Sequence, residues 1–300
     1  MDVDLELREA RPEDHEAVAA ITEETWPDRE GEDYVARVYP EWIEGTERET
    51  FVLDAGTDLA GIAQCVLLSG YEAWCQGMRM NPEYRGMGVS KRLSYALFDW
   101  ARDRGATVAR NMVFSWNAAG LGQSRSVGFE PVTEFRWATP EPDPDAEPDL
   151  EVRADPTLAW HAWAESDGSS LLRGLALDTD ESWALSRLTP ADLDRAAEET
   201  AVFAVLDDGV AGMAHRVRVS EREGDDGTER TAIYGAGVWE SVDTARALFA
   251  AIARDAAEVG ADATRVLIPE SCRHVSDAAY ARAGVSDEPD FVLGADLTRR

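Results

Sequence analysis

Apolar side chains between positions 89 and 100 recur every three or four residues, which predicts a helix with one face packed on a sheet. Gly105 marks the end of this helix, and strands are predicted on either side of it, over 71–80 and 107–114. The other elements predicted for the first half are, in order, a strand over 5–8, helices starting at Arg11 and at Tyr34, a hairpin of 50–53 and 59–68, a short helix from Asn117, and a last strand ending at Trp137. This mixture predicts an α/β (α+β) domain.

A glycine-rich turn leads from the strand over 71–80 into the amphipathic helix. Such a turn leaves backbone N–H groups at a helix N-terminus, where the helix dipole adds partial positive charge. It is therefore suited to hold a phosphate or pyrophosphate. Arg85, Lys91 and Arg92 add cationic side chains around the same spot, in a protein whose formal net charge is −30.

The turn resembles the acyl-CoA-binding motif of the GNAT (GCN5-related) N-acetyltransferases. The residues of the motif are Arg85, Gly86, Met87, Gly88, Val89 and Ser90. Ser90 stands where the family has Gly or Ala, but Ser is small and can donate a hydrogen bond to phosphate. A second signature, Asn117 at a helix start followed by Gly128-Phe129, is also similar to the family. The resemblance implies an acyl-CoA N-acyltransferase (GNAT) fold over residues 1–138, with a mixed central sheet flanked by helices.

The second half of the chain contains segments that parallel the first. Residues 210–215 match 59–64, and 280–285 match 124–129. Between a predicted strand over 232–239 and a helix from about Val242 only Glu240 and Ser241 remain, so the Arg-Gly-x-Gly turn is missing. We therefore predict two tandem GNAT-like domains, the second one degenerate and without a pyrophosphate loop. The alternative is an unrelated α+β domain.

A run of proline and acidic residues separates the two halves. Residues 139–149 read Thr-Pro-Glu-Pro-Asp-Pro-Asp-Ala-Glu-Pro-Asp and have no hydrophobic periodicity. This composition predicts a stiff, extended linker. The predicted domains are therefore 1–138 and 150–300.

The resemblance also implies where acetyl-CoA, the acyl donor, binds. In this fold acetyl-CoA lies where two parallel strands splay apart, here the strands over 71–80 and 107–114. The backbone at Met78 and Met80 would bond the pantetheine arm, while their side chains belong to the core. An N–H in this place would also stabilise the oxyanion of the reaction, a contribution of roughly 3–4 kcal/mol. Asn117 would contact the pantetheine, a role compatible with capping its helix.

The catalytic residues are less clearly marked. The family commonly uses a carboxylate on the central strand as the base, and Glu72 is the one carboxylate on that strand. Strand alternation places Glu72 on the same face as Met78 and Met80; the alternative is a solvated charge at the strand end. A Tyr that protonates the thiolate in the family is replaced here by Ser124, which could orient a water. Tyr280 in the second half matches that Tyr position and is the other candidate.

The composition combines an ordinary apolar content with an extreme charge balance. Apolar residues make up 44% of the chain, and 59 acidic residues stand against 29 Lys and Arg. This excess would destabilise a compact protein at low salt, whereas molar salt shortens the Debye length to about 3 Å and screens it. We therefore predict the salt-rich cytoplasm of a halophile. The same charge argues against nucleic acid and anionic membranes as partners.

Three further features limit the interpretation. No apolar run approaches the roughly 20 residues of a membrane helix, and the acidic N-terminus lacks the layout of a signal peptide. Cys65, Cys75 and Cys272 have no spacing that predicts a disulfide framework or a metal site. We predict no metal cofactor.

The function implied by the resemblance is acetyl transfer from acetyl-CoA to a primary amine, by direct attack in a ternary complex. A small-molecule acceptor is favoured because an acidic surface suits a cationic amine. One alternative is an acetyltransferase for protein N-termini or lysines, and another is a non-catalytic acyl-CoA-binding regulatory module. A different acyl donor, such as succinyl-CoA, and assembly into a homodimer stay open.

Overall fold

The computed structural model of the protein describes residues 5–23, 25, 33–224 and 227–299. Within these residues the chain forms two units. Unit 1 comprises Met1–Val113, Asn117–Pro131 and Val292–Arg300, and unit 2 comprises Phe114–Trp116 and Val132–Phe291. The outermost ends of the two predicted domains, residues 1–4 and 300, lie outside the described residues.

Unit 1 begins with a strand and two helices and continues with three strands before its long helix. Its elements are β1 (Glu6–Glu9), α1 (His15–Glu23), α2 (Val35–Trp42), β2 (Arg48–Asp54), β3 (Leu59–Leu67), β4 (Glu72–Met80), α3 (Ser90–Asp103), β5 (Val108–Phe114) and α4 (Ala118–Ser126). These agree with the elements predicted from the hydrophobic pattern, with ends that differ by a few residues.

The strands of unit 1 form one mixed sheet. Neighbouring strands from β1 to β4 pair antiparallel, whereas β4 and β5 pair parallel. The central strand β3 is buried at eight of its nine positions, as expected for a strand with helices packed on it. The core between helices α1, α2 and the sheet contains Val18, Ile21, Val35, Tyr39, Trp42, Val52, Leu59 and Ile62.

Unit 2 begins with β6 (Glu130–Thr139), whose first two residues belong to unit 1. Its further elements are β7 (Glu151–Arg153), α5 (Pro156–Glu165), α6 (Asp167–Leu171), β8 (Leu175–Leu177), β9 (Leu185–Arg187), α7 (Pro190–Glu199), β10 (Ala201–Leu206), β11 (Val210–Gly224), β12 (Gly227–Trp239), α8 (Val242–Glu258), β13 (Ala263–Pro269), α9 (Cys272–Tyr280) and β14 (Gly284–Val285). The last strand, β15 (Asp290–Asp296), belongs to unit 1 from Val292 onwards. Helix α8 is buried along its length against the sheet, for example at Leu248 and Ile252.

The strands of the two units are paired in the same order. In unit 2 the strands β7, β10, β11 and β12 pair antiparallel in that order, and β12 and β13 pair parallel. This is the pairing of β1 to β5, and the long helix follows the fourth strand in both units. Unit 2 adds the two-stranded hairpin of β8 and β9.

The predicted domain boundaries differ from the observed units in two places. Strand β6 pairs with β13 in the sheet of unit 2, and β15 is the neighbour of β5 in the sheet of unit 1. The backbone N–H of Leu297 donates to the carbonyl of Thr107, 2.9 Å away, which extends this pairing past β15. Each unit therefore contains a last strand that comes from the other half of the sequence. Hydrophobic alternation identifies a strand but not its partner, so the sequence could not predict this exchange.

The segment 139–149 lies inside unit 2 and does not extend away from it as a linker. The N–H of Asp143 donates to the carbonyl of Ala253 on α8 at 3.0 Å, and Asp149 forms an ion pair with Arg246 on the same helix. Pro140 is buried, and its carbonyl accepts a hydrogen bond from Thr264. Hydrogen bonds and an ion pair therefore hold this segment against the unit.

No helix within the described residues is both long and apolar enough to cross a membrane.

Candidate active site

Strand β4 contains a β-bulge at Gly77. Ile62 pairs with Arg79 and Gln64 with Gln76, so β4 has one residue more than β3 over this stretch. Gly77 has φ +63°, and a Cβ at this position would lie 2.0 Å from the Trp42 ring. Both the backbone conformation and the packing therefore require glycine here.

The bulge corrects one prediction about the faces of β4. Glu72 and Gln76 share a face, but the extra residue turns Met78 and Met80 to the opposite face. The predicted common face of Glu72, Met78 and Met80 is therefore wrong. The signal was present in the sequence, since a glycine inside a strand often marks a bulge.

Strands β4 and β5 are paired only at their beginnings. The parallel ladder joins Glu72 to Val108, Ala73 to Ala109 and Trp74 to Arg110, and it ends there among the described residues. The bulge follows directly, at Gly77. The strands therefore separate in their second halves, next to the turn that follows β4. This is the geometry that the resemblance implied for the acyl-CoA site.

The glycine turn leaves its backbone accessible. Gly86 and Gly88 have φ +76° and +74°, and a Cβ at either position would meet no atom within 4 Å. Val89 occupies the N-cap position of α3 and makes no side-chain cap, and Ser90 is the first residue of the helix. The N–H groups of the first turn of α3 therefore face a space that an anion could enter.

Of the three cationic residues at the turn, two bond the protein itself. The Nε of Arg85 donates to the Met80 carbonyl at 3.0 Å, and an Nη of Arg92 donates to the Leu5 carbonyl at 2.7 Å. Lys91 is exposed, and Met87 is 58% exposed at the tip of the turn. The Met78 carbonyl likewise accepts from Arg79, at 3.2 Å. The carbonyls predicted to bond pantetheine thus already accept from arginines, and each keeps a second lone pair.

Asn111 on β5 is a site residue that the sequence interpretation missed. Its Nδ2 donates to Ser124 Oγ at 2.9 Å, which ties β5 to α4. Its Oδ1 is buried and has no hydrogen-bond partner in the structure. An orphaned buried acceptor costs about 1–3 kcal/mol and calls for a ligand or a water. It lies one residue past the end of the β4–β5 ladder, where the strands separate. An amide in the middle of an apolar strand was the signal.

Asn117 caps helix α4, as one of its two predicted roles requires. Its side-chain oxygen accepts from the N–H of Gly120 at 2.9 Å. A Cβ at Gly120 would lie 2.6 Å from Nδ2 of Asn117, so glycine is needed for this cap to form. Helix α4 thereby positions Ser124, which is 2% exposed.

Glu72 lies at the far end of β4 from the turn and is buried. Its carboxylate pairs with Arg110 on β5, with Oε1 2.5 Å from Nη1, and accepts a hydrogen bond from Ser69 Oγ at 3.2 Å. The side chain is 3% exposed, so the alternative of a solvated strand-end charge is wrong. Glu72 and Met80 are eight positions apart on β4, which corresponds to at most about 26 Å of strand. The arrangement favours a structural ion pair over a base for the reaction.

A second polar network lies beside the bulge and was also missed. Gln76 Nε2 donates to Gln64 Oε1 at 2.7 Å, and Gln64 Nε2 donates to the Trp42 carbonyl at 3.0 Å and to Thr50 Oγ1 at 3.1 Å. Gln64 is fully buried. Together with Trp42 against Gly77, this network fixes α2 to the strand that carries the candidate site.

The corresponding region of unit 2 is closed. Ser241 caps α8, with its Oγ accepting from the Thr244 N–H at 3.2 Å. The short helix α6 packs against both β12 and β13. A Cβ at Gly168 on α6 would lie 2.5 Å from Val238, which shows how closely the helix approaches β12. In unit 2 the long helix has a side-chain cap and the strands have a helix packed on them.

Comparison with known proteins gives a family match for part of the chain and a similar fold for nearly all of it. Residues 15–129 match the model of the Acetyltransferase (GNAT) family. A GCN5-related N-acetyltransferase from Sphaerobacter thermophilus is similar over 98% of this chain and 96% of its own, with a TM-score of 0.61 and 16% identity. A GCN5-related N-acetyltransferase from Anabaena variabilis is similar over 98% of this chain and 73% of its own, with a TM-score of 0.51 and 13% identity. No curated protein matches the sequence significantly.

The glycine turn before α3 lies inside the segment that matches the GNAT acetyltransferase family. Segment 15–129 carries the family's sequence, and nearly the whole chain has the fold of solved GCN5-related N-acetyltransferases. The protein is thus an enzyme of the N-acetyltransferase class, and acetyl-CoA is the acyl donor that this class implies.

Proposed function

We propose that unit 1 transfers an acetyl group from acetyl-CoA to a primary amine of a small molecule, by direct attack in a ternary complex. The observation that carries this proposal is the turn before α3. Gly86 and Gly88 hold a backbone conformation that favours glycine, they border open space, and the helix that follows has no side-chain cap. A turn with these properties suits a pyrophosphate.

The residues around the splayed strands fit the rest of this donor. The orphaned Oδ1 of Asn111 is an acceptor that suits an amide N–H of a pantetheine arm. Arg85 sits at the turn and can exchange its bond to a carbonyl for one to a phosphate. The backbone of β4 around Met78 would stabilise the negative charge that develops on the thioester oxygen.

Proton movement in the proposed reaction runs through water. Asn111, Gln76 and Ser124 offer amide and hydroxyl groups near the splay, and none of these groups is a strong acid or base. Ser124 would orient a water that protonates the departing thiolate, through the hydroxyl that Asn111 holds in place. We assign Glu72 no part in this step because it is buried in its pair with Arg110.

Unit 2, in this proposal, is a degenerate GNAT repeat without an acetyl-CoA site. The shared strand pairing supports a common ancestor fold, and an extra residue also occurs in β12, where Ala214 pairs with Gly237 and Arg216 with Tyr234. The Ser241 cap and the packing of α6 on β12 and β13 are the reasons why we expect no binding of acetyl-CoA there.

The acceptor is proposed to be a cationic amine because the protein carries a formal net charge of −30. An anionic protein raises the local concentration of cations and disfavours anionic acceptors.

Thiol release from acetyl-CoA, measured against a panel of small amines, amino acids and peptides, tests the proposal. We expect release that depends on a small amine and is lost in a Gly88→Val variant. Release that depends on peptides alone would contradict the small-molecule acceptor. Tight acetyl-CoA binding without turnover on any member would contradict the reaction itself.

A further inference from the structure

Unit 2 contains a cavity of about 620 Å³ that the acetyl-transfer chemistry does not use. Its volume is in the range of small-molecule sites. Four aromatic side chains line it: Phe114, Trp116, Trp137 and Trp183. The rings of Phe114 and Trp116 stack at 5.2 Å, and those of Trp137 and Trp183 meet edge to face at 5.8 Å. The walls therefore present aromatic surface in fixed orientations.

A buried carboxylate lies in the same cavity. Asp290 is 7% exposed, and its Oδ2 accepts a hydrogen bond from Trp137 Nε1 at 3.1 Å. Within the described part of the chain no arginine forms an ion pair with it. Burial raises the pKa of Asp290 to about 6, against the opposing effects of the Trp137 N–H and the charge of Arg265. A carboxylate accepts more than one hydrogen bond, so Asp290 has acceptor capacity for a ligand.

The charges of the lining favour a cation. Asp287, Glu288 and Asp290 stand against a single arginine, Arg265, among the described lining residues. The guanidinium of Arg265 lies 5.4 Å from the centre of the Trp183 ring, which shows that this indole face accepts a positive charge.

Trp183 is held in an unusual backbone conformation at this cavity. Its φ is +65°, which is rare for a bulky residue, and it is 39% exposed. Backbone strain of this kind persists where the surrounding structure enforces it, often at binding sites. The loop between β8 and β9 enforces it: Arg218 donates to the carbonyls of Thr179 and Asp178, at 3.1 and 3.2 Å, and Arg195 pairs with Asp180.

The acidic side of the cavity is fixed as well. Arg136 donates to the carbonyls of Ser286 and Asp287 at 2.6 and 2.9 Å, and the Ser286 N–H donates to the carbonyl of Trp137 at 2.9 Å. Arg136 is itself paired with Glu270. Both sides of the cavity are thus set before any ligand arrives, which lowers the entropy lost on binding.

We propose that this cavity binds an organic ammonium ion, with its apolar body against the indole rings and its charged nitrogen on the Asp290 carboxylate. Aromatic faces attract a desolvated cation, and a buried carboxylate gives a charge-assisted hydrogen bond. This site belongs to unit 2 and does not depend on the acetyl-CoA turn of unit 1.

The test uses three probes of one shape and different charge, by isothermal titration calorimetry on the full chain at one salt concentration. Phenethylammonium carries the positive charge, 2-phenylethanol carries none, and 3-phenylpropionate carries a negative charge. We expect phenethylammonium to bind at least about tenfold more tightly than either of the others. Equal affinity for the alcohol, tighter binding of the propionate at Arg265, or no binding of phenethylammonium would each overturn the proposal.

Three variants locate the binding. Asp290→Asn keeps an acceptor for Trp137, and it should weaken phenethylammonium about tenfold without changing 2-phenylethanol. Trp183→Gly suits the backbone conformation and should weaken both probes. Asp207→Asn removes an exposed carboxylate in the turn between β10 and β11 and should change the binding of neither probe.

Circular dichroism and Tm confirm that the variants are folded. Phenethylammonium binding that survives both Asp290→Asn and Trp183→Gly places the ion elsewhere and refutes the site. A Gly88→Val variant should keep this binding, which separates it from the proposed acetyl transfer.

Discussion

The carboxylate of Glu72 and the guanidinium of Arg110 form a buried ion pair across β4 and β5, with Oε1 2.5 Å from Nη1. The two side chains are 3% and 10% exposed. The pair joins the strands where they are still hydrogen bonded to each other, before the bulge at Gly77 separates them. The ion pair therefore holds β4 and β5 together at the end of the candidate site that lies opposite the glycine turn.

Replacing Glu72 with Gln should affect stability far more than catalysis. The change leaves Arg110 buried without its counter-charge, which costs about 3–5 kcal/mol in the free energy of unfolding. We expect kcat/KM to stay within about threefold under conditions where the variant is folded, because a base would contribute about a hundredfold or more. Urea unfolding and steady-state kinetics measure the two quantities.

The double variant Glu72→Leu with Arg110→Met is the control, because it removes both charges and should recover most of the lost stability. A loss of kcat of about a hundredfold in Glu72→Gln at unchanged stability would show instead that Glu72 is the base.

Substitutions of Asn111 and Ser124 should affect acetyl-CoA binding and proton transfer separately. Asn111→Leu removes the orphaned Oδ1 and should raise the KM for acetyl-CoA about five- to tenfold. Ser124→Ala breaks the same Asn111–Ser124 bond but keeps Oδ1, so it should leave this KM nearly unchanged and lower kcat. Equal effects of the two variants on KM would show that the bond between the side chains matters, and not the acceptor.

Two buried histidines should make the protein sensitive to mild acid. Burial lowers the pKa of His215 and of His274 to about 4. Between this value and the ordinary 6.5 the unfolded chain binds more protons than the folded one, so stability falls as the pH falls through that window. Across this window each histidine should lower the free energy of unfolding by about 3 kcal/mol. Asp290 acts in the opposite sense, because its pKa is raised to about 6 and the folded state binds its proton first.

His215→Leu isolates one of these contributions. Nδ1 of His215 is buried without a partner, so the apolar residue should cost little at pH 7. The pH dependence of the unfolding free energy between 4 and 6.5 should become weaker by about 3 kcal/mol relative to the parent protein. An unchanged pH dependence would mean that His215 does not titrate as its burial implies.

The three cysteines should differ in reactivity. Cys65 and Cys75 are buried, with their sulfur atoms 3.8 Å apart, and burial raises the pKa of Cys65 well above its usual range. Cys272 is exposed. A thiol-specific reagent should therefore modify one cysteine, Cys272, rapidly in the folded protein. The variant Cys272→Ser should lose this rapid phase of the modification. Rapid modification of two or three thiols at neutral pH would contradict the burial of the pair.

The sequence predicted the elements that are defined by the spacing of apolar residues within a single segment. The amphipathic helix α3, the hairpin of β2 and β3, and the strand that leads into the glycine turn lie close to their predicted positions. The turn itself was identified because Gly86 and Gly88 stand before a helix, a local arrangement. What failed depends on contacts distant in sequence. The bulge at Gly77 fits the ring of Trp42, 35 residues earlier in the chain, and it reverses the face of Met78.

The site residues that were missed have the same explanation. Asn111 becomes conspicuous only when its Oδ1 is found buried without a partner, and burial of a single atom is not readable from the sequence. Likewise, Glu72 looked like a base because its partner Arg110 lies 38 residues later in the chain. The exchange of β6 and β15 between the units follows from strand pairing that alternation does not encode.

The dissociation constant for acetyl-CoA in Gly88→Val and Gly45→Val tests the central claim most directly. Both glycines have a positive φ, +74° and +94°, and both border open space, so the two substitutions strain the backbone alike. Gly45 lies before β2, at the end of the sheet where Arg48 pairs with Val66 on β3, whereas Met80, which leads into the glycine turn, pairs at the opposite end of β3. We predict that Gly88→Val weakens acetyl-CoA binding by about 2 kcal/mol or more, about thirtyfold, and that Gly45→Val leaves it unchanged. Equal affinity in the two variants would contradict the assignment of the turn.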